Sequence, residues 1–257
     1  MKILGYSERG IINSLIFSIG DDIELMNAFI DLIKIREIEE LKSTVKDYTI
    51  LLEQSFSRFG DADLVIIIEY ENPEDNKVLF VEGKVKTSQS NWIIQSQFDK
   101  YTKKDRYNGY SSNLFFQLHL KKLLFDNCKK YEFEKGIIEP KFEDFRKIGE
   151  NKVVLKALKK IKKSEEAYYI GLIPSTKGEI KDFKNTKNDL SDFIDNDDLR
   201  LHFISWKKVE KFCKKHNNPE SKKELIHPKL NKVLKIFKYN KGQIYKRDKI
   251  TVQTIKE

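Results

Sequence analysis

The amino-acid sequence predicts an α/β fold, in which a sheet with mixed strand directions is flanked by helices. Three observations support this prediction. Apolar residues near the N-terminus recur at helical spacing, two continuous apolar runs then flank a dense turn signal, and helical spacing returns with further strand-like runs later in the chain. The chain has 257 residues, of which 39% are hydrophobic, so it can bury a substantial core, and we expect a single domain over residues 1–257.

The N-terminal part of the chain predicts three helices, because apolar residues recur there every three or four positions. The first helix spans residues 5–19, with Ser7 as its N-cap. The second spans residues 21–40. The third spans residues 45–56 and ends near Gly60.

The pattern then changes to that of a β-hairpin. Residues 64–68 form a continuous, largely β-branched run, which is typical of a strand buried on both faces. Residues 72–76 are a turn signal built from Asn, Pro and Asp. A second apolar strand covers residues 78–81 and continues to Lys86.

The remainder of the chain predicts helices that alternate with isolated strands. The expected helices cover residues 91–104, 113–131, 151–162, 207–215 and 220–238, and the expected strands cover residues 167–174 and 201–206, with a short edge strand near 250–252. We therefore predict a core formed by residues 5–104 and 166–216, a helical insertion over residues 105–165, and a helical and basic C-terminal extension over residues 217–257.

Composition limits the classes of protein to consider. The net charge of +9 suggests a polyanionic partner, although the general richness in Lys, Asn and Ile offers a simpler explanation. Two cysteines, Cys128 and Cys213, make neither a disulfide framework nor a metal cluster, and the four histidines show no metal-binding spacing. No apolar run is long enough for a membrane helix, and the N-terminus does not read as a signal peptide, so we expect a cytoplasmic protein.

Acidic and basic residues occupy corresponding ends of the two predicted hairpin strands. Asp63 directly precedes the first strand, while Glu82 and Lys84 lie two apart on the second and therefore share a face, with Gly83 facing away. The midpoint between positions 63 and 82 falls at residues 72–73, within the predicted turn. Antiparallel pairing about this turn places Asp63 across from Glu82, so that two carboxylates and an ammonium converge.

These residue types suit metal-assisted hydrolysis of a phosphodiester. Two carboxylates with open coordination positions suit Mg²⁺, which polarises the phosphodiester and lowers the pKa of a bound water, and a lysine can orient that water. Asp61 lies on the same face as Asp63 and is the alternative ligand; we favour Asp63 because it directly precedes the apolar run. The simpler interpretation of Glu82 and Lys84 is a solvated strand end. The Glu-x-Lys spacing alone is unspecific, because it recurs at positions 150/152, 179/181 and 220/222.

The two strand segments resemble a known family. Asp-Leu-Val-Ile at residues 63–66, followed by a turn and Val-Glu-Gly-Lys-Val at residues 81–85, is similar to the core of the PD-(D/E)xK nuclease superfamily, with Ala62 in place of the motif's proline. The resemblance implies a restriction-endonuclease-like fold. In this family the order is helix, three-stranded meander, helix and strand. Gln97 and Tyr101 match the Gln-x-x-x-Tyr motif of RecB-like members.

The resemblance also implies roles for individual residues. Asp63, Glu82 and the carbonyl of Gly83 correspond to metal ligands, and a glutamate of the first helix, here Glu8, often joins them; the alternative for Glu8 is a first-turn acid that favours the helix dipole. Lys84 corresponds to the catalytic lysine. The expected cofactor is Mg²⁺, with Mn²⁺ as a substitute.

The helix after the hairpin would contribute the substrate contacts. The resemblance gives Gln97 a catalytic and substrate-binding role and Tyr101 a substrate-binding role, since the two lie one helical turn apart. The alternative is an amphipathic helix with a core tyrosine. Asn13 is a further residue that would face the same cleft.

The implied activity is Mg²⁺-dependent hydrolysis of DNA, with RNA as an open alternative and restriction or phage defence as the setting by analogy. A homodimer or an accessory protein is compatible with this activity, and no membrane partner is expected. The rival interpretation is a module that keeps the nuclease fold and binds nucleic acid or a protein partner without cutting.

Overall fold

The computed structural model describes residues 7–33, 44–86, 92–103, 112–130, 151–195, 198–217 and 229–244. These residues form an α/β fold, in which a five-stranded mixed sheet has helices on both faces. None of the described helices is long and apolar enough to cross a membrane.

The elements follow one another along the chain as a mixture of helices and strands. The helices are α1 Ser7–Ile19, α2 Ile23–Ile30, α3 Ile94–Tyr101, α4 Leu114–Lys130, α5 Lys152–Lys162, α6 Lys177–Asn185, α7 Trp206–His216, α8 Leu230–Tyr239 and α9 Lys241–Ile244. The strands are β1 Val45–Ser55, β2 Asp61–Tyr70, β3 Lys77–Gly83, β4 Glu166–Ile173, β5 Ile194–Asp195, β6 Asp198–Leu199 and β7 Leu201–Ser205.

The large sheet has the strand order β1-β2-β3-β4-β7. The first three strands form an antiparallel meander, whereas β3, β4 and β7 run parallel to one another. Strands β2 and β3 are central and almost fully buried. This position explains why their sequences are continuous apolar runs, because both faces of each strand lie against protein.

The β2–β3 hairpin confirms the predicted strand pairing. Leu64 lies opposite Val81 and Ile66 opposite Leu79, so the next step of this register places Asp63 beside Glu82. The turn signal is observed as a short 3₁₀ helix, Pro73–Asp75, between the two strands. The register therefore brings the predicted acidic residues to the same end of the sheet.

The prediction of a helix over residues 45–56 is wrong. This segment is the edge strand β1, which pairs with β2 along almost its whole length, with Ile50 opposite Ile66 and Leu52 opposite Leu64. Its apolar residues do not alternate strictly with polar ones, so their spacing also fitted the period of a helix. The β-branched residues and Tyr48 favour a strand, and the unpaired edge of β2 supplies the hydrogen-bond partners that decide the conformation.

Two helical layers cover the sheet. Helices α3, α4, α5 and α6 pack on the face that carries Phe80 and Tyr169, which we call the α4 face. Helices α1, α2, α7 and α8 pack on the other face, which carries Leu64 and Ile66 and which we call the α1 face. Helix α4 falls within the predicted insertion but packs directly on β3 and β4, so it belongs to the core around the sheet.

The other predicted elements are largely confirmed. Helices α3, α4, α5 and α7 and strands β4 and β7 lie where the sequence predicts them. Helix α6 was not predicted; a capping box between Thr176 and Glu179 begins it. The predicted helix over residues 21–40 is observed as α2 and a 3₁₀ turn, and the predicted helix over residues 220–238 is observed in part as α8. Residues 34–43, 218–228 and the predicted strand at 250–252 lie outside the described residues.

Candidate functional site

Two carboxylates are buried where β2 begins and β3 ends. Asp63 is 5% exposed and Glu82 is 1% exposed. A buried carboxylate is costly unless it is paired or hydrogen-bonded, so the surrounding groups define what this pair can do.

Asp63 is hydrogen-bonded both to the sheet and to helix α1. One carboxylate oxygen, Oδ2, accepts the backbone N–H of Gly83 at 2.8 Å, and the other, Oδ1, accepts Nε of Arg9 on helix α1 at 3.1 Å. Arg9 also lies 3.8 Å from Glu53 and 3.9 Å from Asp61. These contacts hold the Asp63 side chain against β3 and α1, while Arg9 stays partly exposed at the rim.

Glu82 lies between two ammonium groups. Its Oε2 is 4.0 Å from Nζ of Lys84, and its Oε1 is 3.8 Å from Nζ of Lys121 on helix α4. Oε1 is buried and has no hydrogen-bond partner among the described residues. Burial raises the pKa of the Glu82 carboxyl; Lys121 opposes this, the charge of Asp63 adds to it and Lys84 opposes it.

Lys84 is positioned by contacts on its backbone and on its side chain. Its backbone N–H donates to the carbonyl of Leu172 on β4, and its carbonyl accepts the indole N–H of Trp206, both at 2.8 Å. The Lys84 ammonium donates to the side-chain oxygen of Gln117 on α4. The ammonium predicted for this site is therefore present beside Glu82 and is directed by Gln117, which the sequence analysis missed.

Lys121 is the second residue that the sequence analysis missed. Its side chain is fully buried, and its ammonium donates to the carbonyl of Phe59 at 2.9 Å. Burial lowers the pKa of Lys121, whereas the carboxylates of Glu82, Asp61 and Asp63 act in the opposite direction. The sequence did contain a sign of this residue. Residues 114, 118, 121 and 125 lie on one apolar face of α4, and a lysine on such a face is unusual.

Glu8 lies against Gly83, and its role as a metal ligand remains a prediction. A Cβ atom on Gly83 would be 2.9 Å from Cβ of Glu8 and 3.0 Å from Cδ1 of Ile12, so helix α1 rests directly on this glycine. The Glu8 carboxylate forms no ion pair or hydrogen bond with another described residue. Asn13, five residues further along α1, donates through its side-chain amide to Glu53 at 2.5 Å.

We predict that Gly83→Ala destabilises the protein by about 1–3 kcal/mol, because the added methyl group has no room under α1. Chemical denaturation measures the change in the free energy of unfolding. Gly178→Ala is the matched control, since its Cβ would meet nothing closer than 3.8 Å. This helical site should lose no stability and gain up to about 1 kcal/mol. Equal effects at the two glycines would contradict the close contact between α1 and β3.

Gln97 and Tyr101 have structural contacts in the layer on the α4 face. The Gln97 side chain accepts the backbone N–H of Leu114, at 3.4 Å, at the start of α4. Tyr101 is buried; its hydroxyl lies 2.8 Å from Nδ1 of His119 and donates to Asp192. The substrate roles of Gln97 and Tyr101 remain predictions, and the observed contacts match the alternative of an amphipathic helix with a core tyrosine.

The two carboxylates suit a hard divalent cation that needs few protein ligands. Among the described residues, no group of three or more His, Cys, Asp or Glu side chains is arranged to hold a metal ion. Mg²⁺ needs fewer, because it is commonly held by one or two carboxylates and retains several waters. Asp63 and Glu82 meet this requirement, and Oε1 of Glu82, which lies near Lys121 but accepts no hydrogen bond from a described residue, is a buried acceptor with capacity for a ligand.

The chain matches no protein-family model, and comparisons with curated proteins and with solved structures likewise give no match. The mixed sheet with helices on both faces is compatible with a restriction-endonuclease-like core. Membership of the nuclease superfamily remains a prediction from residues 63–66 and 81–85.

Proposed function

We propose that this protein is a metal-dependent nuclease that hydrolyses phosphodiester bonds of DNA. The observation that carries the proposal is the convergence of buried Asp63, buried Glu82 and Lys84 at one end of the β2–β3 hairpin. Keeping two carboxylates together in a poorly solvated place is costly, and a catalytic or metal site is where such an arrangement is useful.

Each residue has a distinct role in this proposal. Asp63 and Glu82 would hold Mg²⁺, which supplies Lewis acidity and a bound water of lowered pKa when it is present. Lys84, directed by Gln117, would orient the attacking water and offset charge at the phosphate. Arg9, whose side chain is 45% exposed beside Asp63, is placed to contact a phosphate at the rim.

Lysines beside the site support a polyanionic substrate. Helix α7 begins at Trp206, which donates to the Lys84 carbonyl, and the backbone N–H of Lys86 donates to the Gln243 carbonyl of α9 at 2.9 Å. The described helices α7, α8 and α9 contain a single acidic residue, Glu210. Their exposed lysines are Lys207, Lys211, Lys214, Lys215, Lys232, Lys235, Lys238 and Lys241. A backbone of phosphates is the partner that such a surface fits.

We expect a variant with three α7 lysines changed to glutamine, Lys207, Lys211 and Lys215, to bind duplex DNA about tenfold or more weakly at low salt. These residues recur every four positions, about 6 Å apart along one helix face. The plot of the logarithm of the binding constant against the logarithm of the salt concentration should also become less steep, since each lost phosphate contact reduces the magnitude of its slope by roughly 0.9. Fluorescence anisotropy in EDTA measures both quantities without cleavage.

The matched control changes Lys152, Lys156 and Lys163 to glutamine, all of them exposed and in or next to α5 on the α4 face. Helix α5 lies far from the site, because its Lys160 pairs with Glu69 of β2. Glu69 is six residues along the strand from Asp63, which corresponds to roughly 20 Å. This variant should bind DNA like the wild-type protein. Equal losses in the two triple variants would indicate a general charge effect and would contradict an α7 surface.

The direct test of the proposed function is cleavage of supercoiled plasmid and linear DNA with Mg²⁺ or Mn²⁺. Wild type is compared with Glu82→Ala and Lys84→Ala, and the same digest is run on RNA. Metal-dependent cutting that both substitutions abolish supports the proposal, and nicked, linear or shortened products separate endonuclease from exonuclease action. Equal cutting by all three proteins would overturn the assignment of the active site.

One observation favours the non-cleaving binding module as a second candidate. Arg9, Lys84 and Lys121 already lie beside the two carboxylates, so the charge cluster is partly balanced within the chain. A module that grips nucleic acid would bind DNA in the anisotropy assay and leave it intact with every divalent cation tested. Binding without cleavage by wild type would select this candidate.

A further inference from the structure

The ammonium of Lys121 is fixed in place against the carboxylate pair. It donates to the Phe59 carbonyl at 2.9 Å and lies 3.8 Å from Oε1 of Glu82. Gly60, the residue after Phe59, has a positive φ of 77°, and a Cβ atom there would be 3.4 Å from the Lys121 ammonium nitrogen. Because its side chain is fully buried and its ammonium is hydrogen-bonded to a backbone carbonyl, Lys121 is held close to Glu82.

Lys84 and Lys121 bracket Glu82 on its two oxygens but differ in their surroundings. Lys84 is tethered by a side chain, that of Gln117, and retains 12% exposure. Lys121 is tethered by a backbone carbonyl and has no exposure. Both oxygens of Glu82 therefore lie near an ammonium group, and the group near Oε1, that of Lys121, is fully buried and held by the backbone.

The charges around the site match one divalent ion. Among the described residues of this cluster, five carboxylates (Glu8, Glu53, Asp61, Asp63 and Glu82) lie with three basic groups (Arg9, Lys84 and Lys121), which is an excess of two negative charges when all eight are ionised. One divalent cation balances this excess. A second would place two further positive charges within a few ångströms of the Lys121 ammonium, where repulsion in a poorly solvated site is strong.

We propose that the site takes a single divalent cation, and that the Lys121 ammonium supplies the positive charge that a second ion would bring. This inference rests on the proposed function, because it concerns the cation that the nuclease would use. Under this inference Lys121 is a positioning residue that balances charge in the site and acts through Glu82.

The test is the stoichiometry of Mn²⁺ binding to the full chain without DNA, measured from the free-ion signal by electron paramagnetic resonance. We expect one Mn²⁺ per chain, lost in Glu82→Gln. Two ions in wild type, both lost in Glu82→Gln, would overturn the single-cation inference and leave the nuclease proposal intact. No ion in wild type would overturn the inference, and DNA cleavage would then decide separately whether the proposed function survives.

The role of Lys121 is tested by Lys121→Met, which keeps the length of the side chain and removes its charge. We expect this variant to bind Mn²⁺ at least about tenfold more tightly, or to bind a second ion, since the fixed positive charge has gone. Lys122→Met is the matched control, because Lys122 adjoins Lys121 on α4 and instead pairs with Asp126 at 2.8 Å. An unchanged affinity and stoichiometry in Lys121→Met would overturn the role, and wild-type stoichiometry tests the single ion even if this variant fails to fold.

Discussion

Replacement of Asp63 by asparagine is expected to reduce metal-dependent DNA cleavage at least about 100-fold. Asp63 is buried, accepts the backbone N–H of Gly83, and follows the β2–β3 register to the position beside Glu82. The substitution removes the negative charge that would bind the cation while keeping the shape of the side chain. Initial cleavage rates at saturating Mg²⁺ measure the effect, and denaturation of the same sample shows whether the fold is retained.

Asp61→Asn is the matched control for this prediction. Asp61 is two residues away on the same strand, but its side chain is 50% exposed, and its closest basic partner among the described residues is Arg9 at 3.9 Å. Exposed ion pairs contribute little, so we expect the cleavage rate to change by less than about fivefold. A large loss in Asp61→Asn together with an active Asp63→Asn would transfer the ligand role to Asp61, which the sequence left as the alternative.

The centre of the site could be predicted from sequence because it depends on a single hairpin. A buried β-branched run, a dense turn signal and a second apolar run determine where the chain reverses, and the midpoint of the reversal determines which residues face each other. Leu64 opposite Val81 is the observed result. Local sequence therefore contained the information needed to place Asp63 beside Glu82.

The rest of the site depends on contacts between distant segments. Gln117 lies 33 residues from Lys84, and Lys121 lies 62 residues from Phe59, so no local pattern links these partners. The same limit explains β1, since the edge of β2 determines its conformation and its own spacing does not. Tyr101 was assigned by a motif to substrate, but its neighbours His119 and Asp192 come from elements that the motif does not include.

Lys121→Met is expected to lower the free energy of unfolding by about 3–5 kcal/mol in metal-free buffer at pH 8, a large part of the roughly 5–15 kcal/mol that stabilises an ordinary domain. The loss comes mainly from Glu82, because removing one member of a buried ion pair leaves the other without its compensating charge. Lys84 remains 4.0 Å from Glu82 and limits the loss. Urea denaturation measures the change, and Lys122→Met provides the surface control on the same helix.

The dependence of this loss on pH follows from the Glu82 carboxyl. Burial raises its pKa in the folded protein, and Lys121 counteracts the rise. A carboxyl whose pKa is higher in the folded than in the unfolded chain contributes stability that is present below the unfolded-state pKa and is lost as pH rises through the folded-state pKa. Without Lys121 the folded-state pKa rises further, so the deficit of Lys121→Met should be small near pH 5 and larger near pH 8.

A double substitution separates loss of the ion pair from loss of packing. In the Lys121→Met background, Glu82→Gln removes the stranded charge, and we expect it to recover more than about 1 kcal/mol and to abolish the pH dependence. If the penalty of Lys121→Met came instead from the lost hydrogen bond to the Phe59 carbonyl, Glu82→Gln would recover nothing and the deficit would be equal at both pH values. The first result would identify Lys121 and Glu82 as one electrostatic unit, so that any ligand of Glu82 must also accommodate the charge of Lys121.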